Sequence, residues 1–360
     1  VEERAKLAER IDFSKPMRGG PVDCGFDSYF GVDVPNFPPY TWFNQDRIQD
    51  LPTDTKPDDM FGHPGAMKPG WKLEEMIPEF VERVDDYVDN AGEDPFFLYF
   101  ALTSPHTPIC PNEQFIGMSG VGLLGDFICE VDWVVGRVMD ALERTGLTDD
   151  TLLIFTTDNG PECIAEAAGG AYKMARDFGH YSMAYLRGAK RDTWEGGHRI
   201  PFIARWPGVT PAGSVCDQLI TLGDLIATCA DLHDVDLPDS VEDSVSILPL
   251  LEGDLDATVR DQVVHHSYSG RFALRKSNWV FIDAPTGDDN HEPEWLKKER
   301  GYKDHDFPGE LYDLNADISE RDNLYGERPD VVEELRALLQ TIIPEDERVY
   351  VTDSHNVDSE

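Results

Sequence analysis

The stretch T-L-L-I-F-T-T-D-N-G-P, residues 151–161, decides the reading of the fold. Its first seven residues are apolar or β-branched without interruption, the pattern of a strand buried on both faces. They run into Asp158-Asn159-Gly160-Pro161, where a strand gives way to a turn. Upstream, Leu124, Phe127, Ile128, Val131, Val134, Val135, Val138 and Leu142 lie on one stripe, which predicts a long helix over 122–145 that Gly146 stops. Before it, Pro95 to Leu102 is a second continuous apolar run, rich in aromatics. Strand, helix, strand in that order predicts a right-handed crossover, hence an α/β chain on a mostly parallel sheet flanked by helices.

Further out, Leu73, Ile77, Phe80, Val81, Val84 and Val88 predict a helix over 72–90, with Pro78 early enough to be tolerated. Residues 1–72 are broken by Pro and Gly and read as loops. Ile200 to Trp206 reads as a strand and Asp217 to Leu232 as a helix. Near Gly253 the pattern changes to short strand-like runs, 262–267, 272–274, 279–282 and 310–313, then a helix over 329–339. Two domains are expected, 1–255 and a smaller α+β domain, 256–360, with an acidic tail from Pro344. The longest apolar run, 96–102, is far short of the ~20 residues of a membrane-spanning helix.

The chain of 360 residues carries 31 Lys and Arg against 70 Asp and Glu, a net charge of −39. That excludes general surface attraction to nucleic acid or an anionic membrane. The six cysteines form no C-x-x-C pair, so a zinc knuckle is not expected. Against this acidic background, 173–205 holds seven Lys and Arg and three acids, with His180 and His198 besides. Such an island focuses an anionic ligand, although surface ion pairs would produce the same composition. Asp158-Asn159 offers hard oxygens for Ca²⁺ or Mg²⁺, although the same tripeptide makes a common Asx turn.

Three stretches taken together, F-F-L-Y-F-A-L-T-S-P-H-T-P (96–108), T-L-L-I-F-T-T-D-N-G-P (151–161) and L-R-G-A-K-R-D-T-W-E-G-G-H-R-I-P-F-I-A-R-W-P-G (186–208), resemble the sulfatases of the alkaline-phosphatase superfamily. D-Q-L-I-T-L-G-D-L-I-A-T-C-A-D-L (217–232) and E-L-Y-D-L-N-A-D-I-S-E-R-D-N-L (310–324) are similar to that family too. The resemblance implies an alkaline-phosphatase-like α/β fold and hydrolysis of a sulfate ester, on a small molecule or a carbohydrate. It implies that Asp158 and Asn159 are two ligands of one Ca²⁺, Mg²⁺ being the weaker alternative. His106 would bond a sulfate oxygen or protonate the leaving alcohol, and Lys190 would bind the sulfate and its bridging oxygen. A fixed cation and an ammonium stabilise charge that develops on those oxygens, and an imidazole can supply a proton near neutrality. His180, with some of Arg187, Arg191 and Arg199, is expected to shape the pocket. The glycines 188, 196 and 197 are expected to let backbone approach the ligand.

The family's nucleophile is a formylglycine made from the Cys or Ser of a [C/S]-x-P-x-R signature that opens a helix. Ser14-Lys15-Pro16-Met17-Arg18 matches the letters, but Gly19-Gly20-Pro21 cannot continue a helix. The expectation is therefore a fragment, inactive alone, whose missing N-terminal part carries the formylglycine. A periplasmic or secreted setting would follow, with the signal peptide in that missing part. Two rivals remain: a phosphatase or phosphodiesterase of the same superfamily, and a non-catalytic Ca²⁺-dependent binder of sulfated glycans. The first is disfavoured by Asn159, which cannot stand in for a zinc-binding histidine.

Overall fold

The structure is a computed structural model and describes residues 10–163 and 169–348. The chain divides into two compact units, which change over between Thr148 and Asp149. The boundary expected at 255 falls inside the second unit.

In the first unit β1 (Phe30–Gly31), β2 (Phe43–Asn44) and β3 (Arg47–Ile48) form an antiparallel ribbon, and β4 (Asp54–Thr55) pairs with β5 (Ala66–Met67). Helix α1 (Met76–Asp89) buries Met76, Ile77, Phe80, Val81, Val84 and Val88, the stripe its sequence spacing predicts. Helix α2 (Leu123–Thr145) starts where Asp126 accepts the Gly117 and Ser119 N–H groups, a carboxylate well placed at a helix N-terminus. It ends on Gly146 in the left-handed conformation, φ +76°. Phe127 and Val134 of α2 meet Ile77, Phe80 and Val81 of α1 together with Trp42 and Trp71.

The run 95–102 is not a strand. Phe96 packs on Tyr87 and Phe100 on Phe80, while Phe97 and Tyr99 are 66% and 72% exposed. A strand buried on both faces needs hydrogen-bonded neighbours, and none of the described residues pairs with this one. The crossover expected between this run and 151–157 is therefore not built among the described residues, and the strand ladders there are antiparallel. The α/β class itself stands.

In the second unit β6 (Leu153–Thr156) pairs antiparallel with β7 (Phe202–Arg205), Thr156 opposite Phe202 and Leu153 opposite Arg205. Between them lie α3 (Ala171–Phe178) and the single turn α4 (Glu195–His198). After α5 (Asp224–Leu232) and α6 (Leu248–Leu251) comes a sheet of β8 (Gln262–His266), β9 (Phe272–Lys276), β10 (Trp279–Ile282) and β11 (Glu310–Asp313) in the order β11-β10-β9-β8, all antiparallel. Helix α7 (Glu294–Arg300) precedes β11, and α8 (Pro329–Ile342) follows it.

Strand alternation gives this sheet two apolar faces. Phe272, Leu274, Phe281 and Leu311 pack on Val331, Val332, Leu335 and Leu339 of α8. Their neighbours Ala273, Val280, Ile282 and Tyr312 face the other way and pack on Trp194. One face thus carries a helix, and the other carries the loop of the basic island. None of the described helices is long and apolar enough to cross a membrane. All six cysteines are free thiols; Cys24 and Cys216 are exposed and Cys163 is buried.

Candidate active site

Strand β6 delivers Asp158 and Asn159 just beyond its end. The Asn159 amide donates to Asp158 Oδ1 at 2.9 Å, which fixes the assigned carboxamide orientation. Asp158 Oδ2 and Asn159 Oδ1 are left without a partner among the described residues. The next residue, Gly160, donates its N–H to Gly197 O at 3.0 Å. A Cβ on Gly160 would stand 1.9 Å from Gly196 O, so only glycine fits here. Gly196 in turn presses on the backbone of Arg187 and Gly188, whose carbonyl oxygens lie 2.5 and 2.3 Å from its ideal Cβ position. These close backbone approaches bind the Asp158-Asn159 turn to the lysine loop.

Lys190 sits in that loop. Its N–H donates to Pro161 O at 3.0 Å, and its carbonyl accepts from Asn290 Nδ2 at 2.7 Å. Its ammonium has no partner among the described residues. Asp192, fully buried, closes the loop by accepting the N–H groups of Ala189 and Asp289 at 2.9 and 2.8 Å. Burial pushes its carboxyl up to about 7, against the pull of those hydrogen bonds and of Asn290.

The other cations of the island, Arg205 excepted, are committed. Arg187 is buried between the Trp194 and Tyr302 rings, 3.7 and 4.4 Å from their centroids, and pairs with Glu292 at 3.2 Å. It also donates to Tyr312 Oη and Glu320 O. Arg191 forks onto Glu162, Arg199 pairs with Glu195, and Lys173 and Arg176 share Asp177. Arg205 has no acidic partner among the described residues, and it sits opposite Leu153, at the far end of the ribbon from Asp158. Lys190 is therefore the uncommitted cation at the Asp158 end of the ribbon. Arg187, Arg191 and Arg199 support the loop through ion pairs.

Behind the loop, Trp194 Nε1 donates to Glu310 Oε2 at 2.7 Å, and the buried Glu320 accepts the Glu195 N–H at 2.8 Å. Desolvation, reinforced by Glu195, raises the Glu320 carboxyl well above its ordinary range. His265 is drawn down to about 4 by desolvation and lies 3.1 Å from Thr193 O, so a neutral ring donates there.

The structure thus brings Asp158, Asn159 and Lys190 together in the second unit. His180 follows the left-handed cap Gly179 of α3, is exposed, and makes no side-chain contact with the three. His106 belongs to the first unit and is exposed; its Nδ1 lies 2.8 Å from Thr107 O. A carbonyl only accepts, so Nδ1 carries the hydrogen and the neutral ring keeps a lone pair at Nε2. Two oxygens from Asp158 and Asn159 fit a hard cation, as part of a larger ligand set. No group of three His, Cys, Asp or Glu side chains gathers around a common centre among the described residues. Ser14 to Arg18 lie in turns and bends and open no helix. The sequence reading missed Asn290 and Glu162, which lie in turn-like contexts with no periodic or charge signal of their own.

The family model described as Sulfatase matches residues 21–235, and N-sulphoglucosamine sulphohydrolase, C-terminal, matches 188–345. N-acetylgalactosamine-6-O-sulfatase of Bacteroides thetaiotaomicron is 36% identical over 276 residues, 76% of this chain and 52% of that protein. Arylsulfatase A of Homo sapiens is 33% identical over 255 residues, 68% of this chain and 48% of that protein. The chain spans about half the length of these curated relatives. A solved sulfatase structure, reported with the metabolism of multiple glycosaminoglycans by Bacteroides thetaiotaomicron, superposes with a TM-score of 0.77 at 29% identity, covering 92% of this chain and 75% of its own. With the Asp158, Asn159 and Lys190 cluster lying inside the matched region, the chain belongs to the sulfatase family, within the alkaline-phosphatase-like superfamily.

Proposed function

We propose that these residues form the sulfate-ester-binding part of a sulfatase that acts on a sulfated carbohydrate. One observation carries the reading: the uncommitted Lys190 ammonium springs from a backbone hydrogen-bonded to Pro161, on the same turn as Asp158 and Asn159. The similarity to an N-acetylgalactosamine-6-O-sulfatase supports the choice of a carbohydrate ester.

In this proposal Asp158 and Asn159 hold a Ca²⁺ through the two oxygens left free. That cation supplies charge stabilisation to the sulfate oxygens when bound. Lys190 binds the sulfate and offsets charge that builds on the bridging oxygen as the ester bond lengthens. His106, whose Nδ1–H is held by the Thr107 carbonyl, is the residue to which the family resemblance assigns proton transfer to the leaving alcohol. The formylglycine that the family uses as nucleophile is assigned to sequence outside Ser14–Arg18, since that segment opens no helix.

The test uses the complete polypeptide carrying these residues. Asp158→Ala is expected to lose Ca²⁺ affinity by calorimetry and nearly all sulfate release from a 6-sulfated amino sugar. Full turnover by Asp158→Ala, or Ca²⁺ binding equal to that of the parent, overturns the reading.

A further inference from the structure

We infer that Asn290 is a positioning residue for sulfate-ester cleavage, acting through Lys190; the inference rests on the reading that Lys190 bears the sulfate. The Lys190 peptide is held from both sides. Its N–H goes to Pro161 O at 3.0 Å and its carbonyl accepts from Asn290 Nδ2 at 2.7 Å. The same carboxamide uses its other end: Asn290 Oδ1 accepts from Arg191 Nε at 3.0 Å. The terminal nitrogens of Arg191 reach Glu162, with Nη1 to Oε2 at 2.9 Å, and Glu162 follows Pro161 in the chain. Pro161, Lys190, Asn290, Arg191 and Glu162 thus close a ring of bonded contacts around one residue.

Two features mark the ring as built for placement. Arg191 sits at φ +85°, a conformation that a residue with a Cβ holds only where its surroundings insist on it. Asn290 is itself fixed and buried: its N–H donates to Asp288 Oδ1 at 3.0 Å, and the Glu292 N–H takes the other oxygen of Asp288 at 2.9 Å. Fixing the N–H and the carbonyl of Lys190 fixes its Cα–Cβ direction, which leaves only side-chain torsions to place the ammonium. A carboxamide is the group the ring requires, because it donates to one partner while accepting from the other. A carboxylate accepts only, and an aliphatic group does neither.

The experiment is a double-mutant cycle in the complete enzyme, with Asn290→Ala, Asn290→Asp, Lys190→Ala and Asn290→Ala/Lys190→Ala. The readouts are kcat/KM on a sulfate ester, inhibition by inorganic sulfate, and the melting temperature. Asn290→Ala is expected to lower kcat/KM by about tenfold or more, to weaken inhibition by sulfate in parallel, and to keep the fold. Asn290→Asp preserves shape, should fold where the alanine variant does not, and should lose at least as much because the donor to Lys190 is gone. The double variant is expected to match Lys190→Ala within about twofold, because Asn290 acts only through that lysine. Losses that multiply in the double variant, or Asn290 variants within about twofold of the parent, overturn the positioning role while leaving Lys190 in place. A silent Lys190→Ala overturns the sulfate-binding reading itself, and the positioning role with it.

Discussion

The segment around His106 and the loop around Lys190 each carry a group that the proposal assigns to the sulfate ester, yet they are built differently. The hydrogen bonds of His106 itself are local, although Leu102 and Ile109 on either side of it pack on the core of the first unit. His106 N–H donates to Thr103 O, its ring to Thr107 O, and the Thr103 and Ser104 hydroxyls are buried without a partner among the described residues. The Lys190 loop is held from far along the chain: by the end of β6, by Asn290, and by a sheet whose face receives Trp194. Side chains fixed over long sequence separations couple chemistry to folding, whereas locally held ones do not. Substitutions of the side chains that hold the loop should therefore move stability, and substitutions at His106 should leave it alone.

The sharpest way to break this contrast is Arg187→Met. Removing the cation leaves Glu292 buried opposite an apolar group, with Glu310 and Glu320 nearby and Oε1 of Glu292 and of Glu320 already without a partner among the described residues. A loss of about 3–5 kcal/mol is expected, read as a lower melting temperature. An unchanged melting temperature would show that the loop does not depend on the sheet.

Gly160→Ala comes next. The new methyl meets the Gly196 carbonyl, which belongs to backbone and cannot swing aside. A cost of about 1–3 kcal/mol is expected, together with shifted amide resonances of 188–197 in an NMR spectrum. Resonances unmoved outside 158–162 would sever the turn from the loop.

Much of this arrangement could be read in advance. The strand ends at 158–161, the stripe of α1, and the short strands of the last sheet follow from periodicity and turn residues, whereas the stripe read for α2 included Ile128, which is exposed, and left out the buried Asp126 and Glu130. The sheet is the clearest case: each strand alternates between the α8 face and the Trp194 face, a period of two carried by the letters alone. Lys190 could be singled out by motif, but not by charge, since Arg187, Arg191 and Arg199 look the same in composition and differ only in having acids beside them in space. Arg199 pairs with Glu195 four residues away, but for Arg191 and Arg187 the contacts come from Glu162, Asn290 and Glu292, at separations of 29, 99 and 105 residues. No local pattern encodes such pairings. The run 95–102 misled for a related reason: its letters specify burial on both faces, whereas burial depends on which neighbours are present.

A smaller effect is expected at Glu130, which lies on α2. Its side chain is fully buried, and burial pushes its carboxyl up to about 7, against one hydrogen bond from the Asn112 N–H. The folded state therefore holds a proton that the unfolded chain releases near its ordinary value of 4.5. Stability contributed by the neutral form is present at low pH and declines as pH rises from about 4.5 through about 7. Glu130→Gln should flatten that decline and raise the melting temperature at pH 8 by about 2–4 °C. A decline of unchanged slope would assign the pH dependence to other groups, with Asp192 first among them.

The smallest effect on stability is expected from His106→Ala and Lys190→Ala, each within about 0.5 kcal/mol of the parent in a thermal melt. Both remove groups with no side-chain partner beyond their own neighbours. A large loss at His106 would end the contrast drawn above.

The free thiols have a practical consequence. Cys24 in the first unit and Cys216 in the second are exposed, whereas the remaining four are at least partly covered. Burial also holds the thiols of Cys110 and Cys163 up to about 12, which keeps them poor nucleophiles at neutral pH. Brief treatment with a maleimide dye pair should therefore mark one position in each unit without any engineered cysteine. Energy transfer between the two dyes would then report, in solution and as ester or Ca²⁺ is added, whether the unit bearing His106 and the unit bearing Lys190 change their separation.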